Sequence, residues 1–130
     1  MINTERLAAY IESKMYEPFA WGSNDCAMFV KYALDEILED SPAASIVPYY
    51  DSAEGAIEFL KSYGAEDLWS FVDTMFERIP VAYATRGDIV GHRTADNSIG
   101  LCVGGRFLTP AAKGLSVVPM AEAVTAWRVK

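Results

Sequence analysis

The chain has 130 residues, 52% of them hydrophobic and 22% charged, and a formal net charge of −7. This composition predicts one soluble domain with a real core, and no apolar run approaches the roughly 18 residues a membrane-spanning helix needs. Without a Lys/Arg cluster, neither nucleic acid nor an anionic membrane surface is an expected partner.

Residues 1–14 are amphipathic and carry both charge signs. They lack the basic-then-apolar layout of a signal peptide, so synthesis in the cytoplasm without Sec export is expected. Asn3 or Thr4 caps a first helix with Leu7, Ala8, Ile11 and Met15 on one face, and Pro18 ends it. A polar turn (Gly22, Ser23, Asn24, Asp25) then delivers Cys26 onto the first turn of a strongly apolar helix. Apolar residues at 26, 29, 30, 33, 34, 37 and 38 give the spacing of a buried helix face. Ser23, Asn24 and Asp25 are all suited to cap it. It stops at Glu39-Asp40-Ser41-Pro42, since proline disfavours helix in the residue before it.

Residues 41–50, with two prolines and the Tyr49-Tyr50 pair, read as an ordered loop. Asp51 with Glu54 forms a capping-box pattern. The helix it opens places Ala53, Ala56, Ile57, Leu60 and Tyr63 inside, with Gly64 as its C′ residue. A further helix over 66–76 buries Leu68, Phe71, Val72, Met75 and Phe76, and Pro80 closes the helical half. From Thr85 the period changes from 3.6 to 2. Residues 87–93 read as a strand, 94–97 as a turn and 98–103 as the return strand. In the return strand Ile99, Leu101 and Val103 share one face, and Ser98, Gly100 and Cys102 the other. Gly104-Gly105 turns the chain into a strand at 106–109, followed by strands at 115–118 and 126–129. Helices followed by antiparallel strands predict an α+β fold, with the N-terminal helices packed on a C-terminal meander sheet. No linker or repeat interrupts it, so residues 1–130 read as a single domain.

Cys26 supports two readings. A thiol at a helix N-terminus is pushed toward the nucleophilic thiolate, whereas the neighbouring Asp25 charge opposes this. Free cysteine is also among the most buried residue types, so from the local pattern alone Cys26 reads first as a small core residue. Cys26 and Cys102 lie far apart, no C-x-x-C spacing exists, and the only histidine is His92. No closed zinc site follows from that set without carboxylates, and nothing requires a metal or organic cofactor. A reducing compartment disfavours a Cys26–Cys102 disulfide. Asp88 follows a glycine at a strand start and reads as a turn or capping residue, with general base as the alternative; Asp96-Asn97 reads as a hairpin turn. Trp21, Tyr49, Tyr50 and Trp69 either line a groove or belong to the core.

Trp21-Gly22, Asp25-Cys26, Arg86-Gly87-Asp88-Ile89-Val90, Ile99-Gly100-Leu101 and Ala126-Trp127-Arg128 occur in an order that resembles the NlpC-type papain-like cysteine peptidases. The nearest resemblance is to NlpC-like proteins of phages and prophages. It spans nearly the whole chain and implies a papain-like fold over 1–130. It places Cys26 at the position of the peptidase nucleophile. The catalytic histidine of that family precedes the hydrophobic-Gly-hydrophobic triplet, where this chain has Ser98. The third polar member falls near Thr109. A serine hydroxyl does not titrate near pH 7 and cannot serve as the base. Losing a triad member costs on the order of 10⁴ in rate.

His92 is the one candidate to replace the base. If 94–97 is the turn, Arg93 pairs with Ser98 and His92 with Ile99, which sets His92 on the Ile99 face, away from Ser98 and Cys26. A bulge, for which Gly91 is the natural site, reverses that. The first expectation is therefore an inactive peptidase fold serving as a structural or interaction protein, with other phage tail or baseplate proteins as partners and the virion tail as its place. The alternative is a peptidoglycan endopeptidase or amidase acting on cell-wall peptide, with Cys26 as nucleophile and His92 as displaced base. A thiol-dependent acyl transferase would need the same base.

Overall fold

In a computed structural model that describes residues 2–94 and 96–130, the helices come first and the sheet second. Met1 of the first stretch and Ala95 of the 94–97 turn lie outside the described residues. α1 (Thr4–Lys14) is capped by Asn3, whose side chain accepts from the Arg6 N–H. It buries Leu7 and Tyr10, and the Tyr10 hydroxyl donates to the Phe29 carbonyl at 2.6 Å. Ala8 and Met15, expected inside, are exposed, because the packed stripe runs through Leu7 and Tyr10 and Met15 is already the C-cap. α2 (Cys26–Ile37) follows its apolar spacing, burying Met28, Phe29, Val30, Ala33, Leu34 and Ile37.

The next two helices depart from expectation. α3 (Ala53–Ser62) is capped by Ser52, one residue after Asp51, with Ser52 accepting from the Gly55 N–H. Gly64 takes the C′ position at φ +76, donating to the Lys61 carbonyl. None of its residues is buried, although an inward face was expected; the stripe borders an open cleft. α4 (Leu68–Asp73) is shorter than the expected 66–76 because Asp67 caps it and the chain turns extended at Glu77. That extended piece is β1 (Glu77–Ile79).

β2 (Ile89–His92), β3 (Ser98–Cys102), β4 (Arg106–Ala111), β5 (Gly114–Pro119) and β6 (Ala123–Arg128) complete a six-stranded sheet in the order β1-β6-β2-β3-β4-β5. Every neighbouring pair is antiparallel. Strands β2 to β5 form the expected meander, but β6 returns to sit between β1 and β2. The α+β class therefore holds, with the sheet more than a meander.

The sheet separates two apolar clusters. Ile89, Ile99, Leu101, Leu108 and Trp127 face the helices with Phe29, Leu34 and Val72. Val90, Cys102, Phe107, Val118 and Ala126 form a smaller cluster on the other face. The β3 alternation is as expected, and Cys102 is fully buried. Gly100 leaves room for the Phe107 ring, whose Cδ2 would lie 2.6 Å from an added Cβ.

The hairpin register differs from the sequence expectation by one residue. His92 pairs with Ser98 and Gly91 with Ile99. The connection runs from 93 to 97 because Asn97 adopts a left-handed conformation at φ 49, open to Asn at small cost. A second irregularity lies between Gly91 and His92 on the β6 side, where Gly91 faces Thr125 and His92 faces Ala123.

Candidate active site

The turn before α2 is built around Asp25, which is 2% exposed. Its Oδ1 accepts from the Met28 N–H at 2.8 Å, the N-cap bond. Its Oδ2 accepts from the Gly22 N–H at 2.9 Å and from the Tyr50 hydroxyl at 2.7 Å. Three donors converge on one buried carboxylate, the condition under which such a charge is tolerated. Gly22 stands at φ +81, where an added Cβ would meet the Tyr50 carbonyl oxygen at 1.9 Å. Asn24 is buried beside it and donates to the Glu17 and Pro18 carbonyls, while its Oδ1 has no partner. The Trp-Gly-x-x-Asp pattern is thus a hydrogen-bonded clamp that fixes where Cys26 begins its helix.

Cys26 is half-buried, its sulfur inward. Burial pushes its thiol pKa up to about 11. The backbone N–H groups of Ile99, Ala27 and Cys26 itself pull the other way, as a helix N-terminus should, and the Asp25 charge adds to the rise. Desolvation outweighs the amides. At pH 7 such a thiol is on the order of 10⁻⁴ thiolate.

Cys26, His92, Ser98 and Thr109 all border one cleft of about 670 Å³ between α3, α2 and the β2–β3 hairpin. Their side chains do not form a relay. The His92 ring packs edge-on against Phe107 at 5.3 Å, and Nε2 lies 3.8 Å from Glu122. With the true register, His92 shares a face with Ser98 and lies opposite the Ile99 face, reversing the expected sidedness. The Ser98 Oγ lies 3.4 Å from the Thr94 Oγ1 and 3.5 Å from the His92 carbonyl, inside its own hairpin. Thr109 Oγ1 donates to the Ile99 carbonyl at 3.3 Å. Among the described residues, no hydrogen bond joins Cys26 to any of the three.

The remaining candidates divide between structure and surface. Asp88 is a turn residue: it accepts from the Thr85 N–H at 2.9 Å and from the Val129 N–H at 2.9 Å, and Arg128 Nε lies 3.5 Å away. Trp69 belongs to the core, its Nε1 donating to the Ser98 carbonyl at 3.1 Å. Trp21 and Tyr50 border the cleft, and Tyr49 is exposed outside it. Asn97 donates to Asp67 at 3.1 Å, holding the hairpin to the start of α4. Sequence reasoning missed the ion pair of the buried Lys31 with the half-buried Asp35 on α2, whose i, i+4 spacing was its only signal. It also missed the Tyr50–Asp25 bond, which no local pattern announces.

Among the described residues, no group of three or more His, Cys, Asp or Glu is placed to hold a metal, and no helix is long and apolar enough to cross a membrane. The family described as "Domain of unknown function (DUF6950)" matches residues 2–129. No curated protein matches the chain.

Proposed function

The chain belongs to the DUF6950 family, and for it we propose a structural or interaction role on an NlpC-type, papain-like frame without peptidase chemistry. The observation that carries this reading is the setting of Cys26: among the described residues no hydrogen bond joins it to His92, Ser98 or Thr109, each of which is engaged elsewhere, and burial raises its thiol to about 11. A cysteine peptidase needs a thiolate near neutral pH and a proton donor for the leaving amine. Asp25, the one carboxylate beside Cys26 in sequence, is saturated by three donors. The resemblance of the motif order to phage and prophage NlpC-like proteins supports a place in a tail tip or baseplate, with other tail proteins as partners.

Two measurements test it. Purified peptidoglycan is incubated with wild type and Cys26→Ala, and released muropeptides are followed by mass spectrometry. The expected result is no release that depends on Cys26. Mass spectrometry of purified phage particles tests the setting, with the protein expected among the tail components and its absence counting against that placement. One observation favours the competing peptidase reading: Cys26 opens α2 on the same cleft that His92 borders. Release abolished by both Cys26→Ala and His92→Ala would establish that reading instead.

A further inference from the structure

An amphipathic helix normally buries its apolar stripe. α3 does not: Ala56, Ile57 and Leu60 border the cleft, none of them is buried, and Ile57 is 52% exposed. The helix is fastened at its ends by the Ser52 cap and by a chain of ring contacts, Tyr50 to Phe59 at 5.3 Å, Phe59 to Tyr63 at 5.1 Å and Tyr63 to Phe71 at 5.2 Å. Phe59 and Leu60 pack against the core, while Ile57 is left open at the cleft. A cleft of this size, with apolar and aromatic side chains on one part of its wall and polar ones on the rest, has the proportions of a binding site.

Charge selects the occupant. Lys31 is the cleft's one lysine, and it is buried and neutralised by Asp35. Around the mouth stand Glu66, Asp67 and Asp96, with Glu66 and Asp96 exposed. A fatty acid or an anionic lipid headgroup would bring negative charge to these carboxylates and find no free lysine. A second copy of the chain, at net charge −7, meets the same repulsion. We infer that the cleft under α3 receives a segment of a partner protein whose apolar residues are flanked by lysine or arginine. The apolar residues fill the space beneath Ile57 and Leu60, and the basic residue meets Glu66 and Asp96.

This inference rests on the non-catalytic reading of Cys26, and the experiment separates the two. A displayed library of random dodecapeptides is selected on the full protein, and recovered sequences are resynthesised. Their affinities are measured for wild type, for Ile57→Asp and for the double variant Glu66→Lys/Asp96→Lys. All three substituted positions are exposed, and circular dichroism confirms that each variant is folded. The expected peptides are apolar with Lys or Arg beside the apolar residues. Ile57→Asp weakens them by about tenfold or more, and the charge reversal does so in a salt-dependent manner. No enriched peptide, enriched acidic peptides, or affinities untouched by both variants would overturn the inference. So would tighter binding of palmitate, or a concentration-dependent dimer that Ile57→Asp abolishes. Mass spectrometry of the bound peptide supplies the separation. Intact peptide supports both readings, whereas peptide of the expected composition recovered cut overturns the non-catalytic reading and supports the cleft's specificity.

Discussion

The two faces of the sheet carry the two residues whose chemistry would have to meet. On the helix side, Cys26 is held by a clamp in which every named bond fixes backbone: Asp25 to Met28 and Gly22, Asn24 to Glu17 and Pro18, the thiol against the Ile99 amide. On the other side, His92 rests against Phe107, a member of the small cluster of Val90 and Cys102, and toward Glu122. The first region is held by several hydrogen bonds. The second rests on ring packing and one long contact to an exposed carboxylate. The carboxylate that orients the helix start stabilises the fold whether or not the thiol reacts.

The comparison breaks most severely at Asp25. Asp25→Ala removes the N-cap and leaves the Gly22 N–H and the Tyr50 hydroxyl without their acceptor, so a loss of about 3 kcal/mol is expected in urea unfolding. Tyr50→Phe removes one of the three bonds and should cost about 1 kcal/mol. The Gly91 position sharpens the contrast from the strand that both faces share. An added Cβ would meet Thr125 Cγ2 at 2.6 Å and Trp69 Cε2 at 2.9 Å, so Gly91→Ala should destabilise by about 1–3 kcal/mol.

Titration of Cys26 gives a further separation. Its folded pKa is raised above the unfolded value, so its contribution to stability is full below roughly pH 8.5 and is lost as pH rises toward about 11. Wild type should lose about 2–3 kcal/mol more than Cys26→Ala over that window, read by denaturant melts at stepped pH. Alkylation of Cys26 should likewise stay slow until pH exceeds about 9. The smallest expected effect belongs to His92→Ala: less than about a twofold change in the alkylation profile, since no bond joins the ring to the thiol. A profile shifted down by His92 and restored on its removal would unite the two faces after all.

Much of this arrangement was legible in the chain. The α2 spacing, Asp25 as a capping candidate, the Gly64 stop and the positions of β2 to β5 follow from local pattern, because each is decided by residues within a turn or two of one another. The register was not, because a left-handed Asn97 lengthens the connection by one residue, and one residue of slip moves His92 from one face to the other. β1 lay between the expected helix over 66–76 and Pro80 with no strand assigned, since its three residues become a strand only by pairing with β6, some fifty positions on. The α3 stripe is a true helical signal, but amphipathicity does not state whether a core or a cleft lies beneath it. The sulfur environment depends on Ile99, on a different element, and no cysteine-centred motif encodes burial.

The position of β6 bears on synthesis. It is the last strand in chain order, yet it lies between β1 and β2 and inserts Trp127, the largest fully buried side chain. A ribosome delivers α1 to β5 first, and during that interval β1 has no strand to pair with and the Trp127 socket is open. Until β6 is made, the residues that surround Trp127 in the finished fold lack that side chain. The sheet closes only when a strand made after β5 threads back between β1 and β2, a non-local step of the kind that slows folding.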